Sequence, residues 1–310
     1  MKSFISIVVI YFLLLVASAS FAQEASKDKV VITGVRFAYP LVEKWIQEYK
    51  AINPEANVYI EARTSTDPSA YDLLIEAYEP DKVVKETREY IYIGRYALLP
   101  VANAQSALAK IYQDKGLTTE LFKQIYFNDI YADKKDAKKI EGNYTVYTRS
   151  QKAGAPITFA HYFGFEQANI KGKAIAGADE HLIKALLKDS TGVSYSVPGL
   201  LYDLKTRKQR DGLVVLSVDT DGNNRLNADE KFYSNLDEVI LKLESASLKN
   251  IPTEYLHLSV SKNNSNPEAL KFLQWVLENG QTHLHDYGFL NPEPKRVQEQ
   301  KEQFKQLVLN

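Results

Sequence analysis

The spacing of apolar and polar positions after residue 28 predicts a strand, a turn and a helix in succession. Val30, Val31 and Ile32 form an apolar run, and apolar residues then recur at helical spacing over residues 40–49. Residues 57–62 alternate as a second strand, and residues 68–77 are predicted to be helical. This β-α-β-α order favours an α/β fold with loops gathered at the strand ends.

Later segments continue the same mixture of short strands and helices. Residues 90–101 are apolar and strand-like and are predicted to cross between two lobes, and residues 193–202 are predicted to cross back. Helices are predicted at residues 117–127 and 267–278, and a further strand at residues 144–148.

The first 22 residues have the pattern of a cleaved secretory signal peptide. Lys2 precedes an apolar run over residues 4–17, and Ser20 and Ala22 occupy the small positions before the cleavage point. The run is shorter than the roughly 20 apolar residues that a stable membrane span needs, although an uncleaved anchor is the alternative. The sequence therefore predicts export to the periplasm and a mature protein without a membrane span.

Composition narrows the chemistry further. The chain contains no cysteine, which excludes disulfides, thiolate metal sites and a cysteine nucleophile. About 290 residues remain after cleavage, and 45% hydrophobic composition is sufficient for a core without such cross-links. The net charge is −1, from 38 basic and 39 acidic side chains, which argues against a broad nucleic-acid-binding surface. Any anion binding must therefore be local, and a monomer is expected.

Four segments, taken in order, resemble the phosphate-binding proteins of bacterial phosphate importers. They are residues 34–45, 117–126, 149–155 and 271–290. Residues 149–155 align without a gap with the Arg-x-x-Gly-Ser-Gly-Thr loop of that family. The resemblance implies a two-lobed type 2 periplasmic binding protein fold with a ligand cleft between the lobes. With the predicted crossings, lobe 1 comprises residues 23–97 and 205–310, and lobe 2 comprises residues 98–204.

The resemblance also implies an oxyanion site built from loops at helix starts, where unpaired backbone N–H groups favour negative charge. Thr64 and Ser65 would supply hydroxyls, and an acidic residue would accept the proton of hydrogen phosphate, with Asp72 as the alternative to Glu76. The expected ligand-binding residues are Arg36, Phe37, Thr64, Ser65, Glu76, Arg149 and Gly154.

Several positions depart from the pattern of the family. Ala153 and Ala155 replace a serine and a threonine, so two hydroxyl donors are lost, while Arg36 replaces a threonine. Each lost hydrogen bond to a charged group costs roughly 1.5–3 kcal/mol, which weakens a phosphate site unless Arg36 compensates.

The resemblance implies a non-enzymatic solute-binding protein that delivers a small oxyanion, with phosphate as the first candidate, to a membrane ABC permease. A phosphorylated compound and another small anion are also compatible with the substituted loops. An interaction or sensory module with the same fold and a degenerate site is the alternative function. Walker loops, nucleophile elbows and His-Glu-x-x-His motifs are absent from the sequence.

A separate motif at residues 219–230 has the spacing of a calcium-binding loop. Oxygen-bearing side chains occupy positions 1, 3, 5, 9 and 12, and Leu226 occupies the apolar eighth position. Asn224 stands where glycine is usual, and asparagine tolerates a positive φ better than most residues. A turn without metal is the alternative to a structural calcium clip. The expected ligands are Asp219, Asp221, Asn223, Arg225 through its carbonyl, Asn227 and Glu230.

Overall fold

A computed structural model describes residues 29–79, 82–128, 140–245, 248–264 and 266–309. The predicted signal peptide, residues 1–22, lies outside the described residues. Within the described part of the chain, no helix has both the length and the apolar character that crossing a membrane requires.

The first sheet has five strands in the spatial order β2-β1-β3-β10-β4. Its first three strands are parallel, and β10 runs antiparallel to both of its neighbours. The strands are β1 (Lys29–Gly34), β2 (Asn57–Ile60), β3 (Leu73–Glu76), β4 (Arg88–Ala97) and β10 (Thr253–Ser261).

The second sheet also has five strands, in the order β7-β6-β8-β5-β9. Strand β6 is parallel to β7 and β8, whereas β5 is antiparallel to β8 and β9. The strands are β5 (Leu99–Asn103), β6 (Thr145–Arg149), β7 (Lys173–Ile175), β8 (Gly192–Ser196) and β9 (Leu213–Val215).

The described helices lie between these strands and after them. They are α1 (Tyr39–Ile52), α2 (Lys82–Thr87), α3 (Ala107–Tyr112), α4 (Thr119–Tyr126), α5 (Gly154–Tyr162), α6 (Asp179–Lys188), α7 (Pro198–Leu201), α8 (Leu236–Ser245), α9 (Pro267–Asn279) and α10 (Pro294–Leu309). The α/β class and the two-lobed arrangement predicted from the sequence are both confirmed.

The chain passes between the sheets at two adjacent places. Leu98 joins β4 to β5, and Pro252 leads back into β10; the Leu98 backbone nitrogen donates to the Pro252 carbonyl over 2.9 Å. The first passage lies within the predicted crossing segment. The second lies far after the predicted boundary at 204/205, because β8 and β9 both pair with β5 in the second sheet. The motif at residues 219–230 therefore follows a strand of lobe 2 rather than lobe 1.

The helix predicted over residues 68–77 is wrong. A single 3-10 turn (Pro68–Ala70) occupies the start, and Leu73–Glu76 forms β3 between β1 and β10. Leu73, Leu74 and Ile75 are all buried. A short central strand covered on both faces has a continuous apolar run, which periodicity alone cannot distinguish from a buried helix.

Aromatic packing holds α5 against the second sheet. Phe159 of α5 stacks on Tyr195 of β8 with ring centroids 3.9 Å apart, and Tyr126 meets Phe159 edge-on at 5.1 Å. All three side chains are fully buried or nearly so. This packing fixes the start of α5, and the loop from β6 to α5 enters the space between the lobes.

Candidate anion-binding cleft

A cavity of about 360 Å³ lies between the two lobes and is called the anion cleft below. Strands β1, β3 and β6 all end at this cavity, as expected for α/β sheets, whose ligands bind beyond the carboxyl ends of strands. Lobe 1 contributes the turn after β1 and the end of β3, and lobe 2 contributes the loop before α5 and the start of α6. Five predicted site residues line it together: Arg36, Phe37, Glu76, Arg149 and Gly154.

Arg149 is the central cation of the anion cleft. Its Nη1 lies 2.9 Å from Oδ2 of Asp179, the first residue of α6, and the two side chains are only 13% and 11% exposed. Burial raises the pKa of the Asp179 carboxyl, and Arg149 opposes that rise. The Nε of Arg149 is buried and has no hydrogen-bond partner among the described residues. The guanidinium is therefore oriented by Asp179 and retains an unused donor.

Three further basic residues line the same cavity: Arg36, Arg63 and Lys152. All three are exposed. Against these and Arg149, the lining includes two carboxylates, Glu76 and Asp179, of which Asp179 is already paired. A cleft in which one sign of charge predominates attracts ions of the opposite sign. The arrangement favours an anionic guest.

Glu76 ends β3 and is the one of the two acidic candidates from the sequence, Glu76 and Asp72, that lines the cleft. Ser259 donates its hydroxyl to Glu76 over 2.5 Å, and Nε of the buried Arg88 contacts the same hydroxyl at 2.9 Å. Burial raises the pKa of Glu76 above its ordinary value of 4.5. Asp72, the sequence alternative, instead accepts hydrogen bonds from the Val31 backbone and the Asn266 amide, and it does not line the cavity.

Thr64 and Ser65 do not line the anion cleft, contrary to the expectation. Their backbone N–H groups donate to the hydroxyl oxygen of Tyr71 over 2.7 and 2.8 Å. The hydrogen bond with Thr64, followed by that with Ser65, lowers the pKa of Tyr71. Because residues 68–77 contain no α-helix, this loop also lacks a helix start. The loop after β2 thus directs two of its backbone donors to the hydroxyl oxygen of Tyr71.

The start of α5 supplies the remaining backbone donors. Gly154 and Ala155 begin the helix, and the Ala153 side chain does not cap it. A Cβ atom at Gly154 would lie 2.8 Å from the Cβ of Ala77 in lobe 1, so only glycine fits here without a shift. Phe37 packs its ring against Tyr96 and Phe289, so the ring is engaged in the core.

Sequence reasoning identified Arg149 but missed its partner and several of its neighbours. Asp179, Arg63, Lys152 and Tyr71 were not predicted as site residues. Asp179 begins the helix that follows β7, and β7 pairs with β6, the strand that ends at Arg149. An acidic residue at this helix start was the sequence signal that could have identified Asp179 as the partner of Arg149.

A second candidate site lies at residues 219–230. Asp219, Asp221 and Glu230 place one carboxylate oxygen each within 4.8 Å of one another, and Asp219 and Glu230 are 1% exposed. Backbone N–H groups of the loop hold these carboxylates; Asp219 accepts from Gly222 over 2.8 Å. These hard oxygen donors suit calcium.

The other predicted calcium ligands are arranged differently. Asn224 adopts a φ of +64°, the conformation that the glycine position requires. Asn223 and Asn227 donate their amide nitrogens to Oδ2 of Asp221 over 2.8 and 3.0 Å. Asn223 also accepts the backbone N–H of Arg225 over 2.8 Å. The three carboxylates are therefore the part of the predicted ligand set that converges.

Comparison with known proteins supports the fold through structure rather than sequence. No protein-family model matches the chain, and no curated protein matches it. A solved structure with bound phosphate from Clostridium perfringens, assigned to the phosphate ABC transporter substrate-binding proteins, is 15% identical with a TM-score of 0.63. It covers 86% of this chain and 100% of its own.

The ABC-type phosphate transport receptor from Vibrio cholerae is 14% identical with a TM-score of 0.57, over 85% of this chain and 100% of its own. The chain has the fold of these substrate-binding proteins. The same fold also occurs in the CcmR regulatory domain of Synechocystis PCC6803, solved in complex with 2-PG. That domain is 12% identical with a TM-score of 0.50, over 80% of this chain and 95% of its own.

Proposed function

We propose that this protein is a periplasmic solute-binding protein that captures a small oxyanion, with phosphate as the first candidate, and delivers it to an ABC-type permease. One observation carries the proposal. Arg149 is held by Asp179, yet its buried Nε lacks a partner in the described structure, and the anion cleft around it contains three more basic residues. A buried donor without a partner is costly, and an anionic guest would satisfy it.

The proposed binding mode combines charge with backbone donors. Arg149 offers charge-assisted hydrogen bonds, and the start of α5 offers N–H groups with partial positive charge. Because Ala153 and Ala155 carry no hydroxyls and the Thr64 and Ser65 amides bind Tyr71, affinity depends mainly on Arg149, Arg36, Arg63 and Lys152. We therefore expect strong salt dependence from the exposed cations.

Glu76 is the proposed selectivity residue. A carboxylate in the cleft accepts the proton of hydrogen phosphate, but it repels sulfate, which carries no proton at neutral pH. Burial of Glu76 strengthens this repulsion while the carboxyl is ionised, because charges interact more strongly away from water.

Isothermal titration calorimetry with phosphate and sulfate at low and moderate salt tests the proposal. The expected result is saturable binding of phosphate that exceeds that of sulfate and weakens as salt rises. Absence of heat with both anions, together with an unchanged melting temperature, would overturn the oxyanion function.

One observation favours a second function, that of a sensory or interaction module with a degenerate site. In the loop after β2, the backbone N–H groups of Thr64 and Ser65 donate to Tyr71, and the loop does not lead into an α-helix. The fold is also that of a regulatory domain. The same calorimetry distinguishes the two functions, because only the transport function requires a tight oxyanion site.

We also propose that residues 219–230 bind calcium as a structural clip. The support is the coincidence of sequence spacing with the convergence of the Asp219, Asp221 and Glu230 carboxylates. Asn250 donates its amide to the Asp219 carbonyl over 2.7 Å and lies two residues before Pro252 in the second passage between the sheets. An ion here would stabilise lobe 2 next to that passage.

A further inference from the structure

A second space of about 640 Å³, called the second chamber below, adjoins the anion cleft. Glu76, Tyr78, Arg149 and Lys152 line both spaces, so the two meet at Arg149. A bare oxyanion fills roughly the volume of two or three water molecules, about 60–90 Å³. Sites for organic ligands span about 300–1,000 Å³. The second chamber is therefore much larger than phosphate alone requires.

The walls of the second chamber differ in character from those of the anion cleft. Ile157, Ala168, Ile170 and Ala174 give it apolar surface. Thr148, Ser150 and Gln167 add neutral polar groups.

The charges are reversed as well. Among the described residues that line only this chamber, no lysine or arginine occurs, whereas Glu79 and Glu166 contribute carboxylates. Glu79 accepts a hydrogen bond from Tyr92 over 3.0 Å and pairs with Lys85, and Glu166 lies 3.2 Å from Nε2 of His161. The two connected spaces thus run from an end with several basic side chains to an end where the carboxylates are Glu79, which is paired with Lys85, and the exposed Glu166.

We infer that the guest is a small zwitterion, namely a phosphonate or phosphomonoester with a short organic group that ends in an ammonium. This inference rests on the proposed oxyanion function and specifies its ligand class. The anionic head lies at Arg149, the organic group crosses the apolar wall beside Ile157 and Ala174, and the ammonium lies toward Glu79 and Glu166. Each part of such a molecule meets a wall of matching chemistry.

Calorimetry with three probes tests the inference: phosphate, methylphosphonate and 2-aminoethylphosphonate. At pH 7, 2-aminoethylphosphonate is expected to bind at least about tenfold more tightly than methylphosphonate, which has a similar head and no ammonium. If phosphate binds but the two phosphonates have equal affinity, or methylphosphonate is tighter, the inference is overturned and the oxyanion function stands. If none of the three binds, both are overturned.

Variants of the acidic end provide the second arm of the test. In Glu79→Gln and Glu166→Gln, the affinity ratio of the two phosphonates is expected to fall toward one. Glu120→Gln, on the exposed surface of α4, is the matched control and should keep the ratio. Ala174→Leu, at a position that lines the second chamber but not the anion cleft, narrows the chamber and should weaken 2-aminoethylphosphonate more than phosphate. An unchanged ratio in both glutamate variants, with melting temperatures that show folded protein, would overturn the inference.

Discussion

The hydroxyl oxygen of Tyr71 lies 2.8 Å from the backbone nitrogen of Ser65 and 2.7 Å from that of Thr64. One side chain thus organises the loop after β2 through two backbone donors. Tyr71 therefore occupies two backbone donors of the loop in which the sequence predicted ligand-binding residues. A side chain of the protein itself, that of Tyr71, therefore holds this loop in place.

Tyr71→Phe removes this acceptor and leaves two loop N–H groups without their partner. We expect the melting temperature to fall by about 2–4 °C, the shift typical of the loss of a modest interaction in a protein of this size. Tyr59→Phe is the control, since Tyr59 packs under Lys29 rather than holding a loop. Equal melting temperatures for Tyr71→Phe and the unaltered protein would show that the loop does not depend on this oxygen.

Arg149→Gln tests the central cation of the anion cleft. We expect at least about tenfold weaker phosphate binding, because charge-assisted hydrogen bonds are lost, and a loss of unfolding free energy of roughly 3 kcal/mol, because Asp179 remains buried without its partner. Calorimetry and chemical denaturation measure the two effects.

The double variant Arg149→Gln/Asp179→Asn separates binding from stability. It removes the unpaired buried carboxylate, so stability should recover while phosphate binding stays weak. Arg207→Gln is the matched control, because Arg207 pairs with Asp237 at 2.6 Å outside the cleft. Normal phosphate affinity in the double variant would contradict the role of Arg149.

Because the His257 side chain is buried, we expect the protein to lose stability in mild acid. This fully buried side chain has no hydrogen-bond partner in the described structure, and burial lowers its pKa from 6.5 to about 4. Between these values the unfolded chain binds a proton that the folded protein excludes. Stability therefore falls by roughly 3 kcal/mol as the pH drops from 6.5 to 4.

Chemical denaturation of His257→Leu over the same pH range measures this contribution. His257→Leu should lose less unfolding free energy on acidification than the unaltered protein. His161→Gln, in which an exposed ring is replaced, should lose as much as the unaltered protein. An identical pH profile in His257→Leu and the unaltered protein would refute the assignment.

Calcium should stabilise the protein through residues 219–230. At free calcium about 100 times the dissociation constant, the gain in unfolding free energy is about 2.7 kcal/mol. We expect a higher melting temperature in calcium than in chelator, and the difference should vanish in Glu230→Gln. Asp229→Asn, in the same loop but paired with Lys242 at the surface, should keep the difference. Equal melting temperatures in calcium and in chelator would overturn the proposal that residues 219–230 bind structural calcium.

Local patterns predicted the architecture better than the site. The strand and helix after residue 28 follow from period and spacing, and Arg149 was identified by its position in a contiguous loop. The error at residues 68–77 arose because a central strand buried on both faces lacks alternation. Asp179 and Tyr71 were missed because their partners are set by strand order and loop closure, which no local spacing encodes.

The hydrogen bond between Leu98 and Pro252 has a mechanical consequence. The two passages run side by side, which places a common hinge for rotation of the two sheets at this point. Thr158 of α5 and Tyr96 of β4 share a hydrogen bond of 2.8 Å across the divide, and that bond must break before any wide rotation. Under the proposed function, a captured ion would leave the cleft through such a rotation of one lobe against the other.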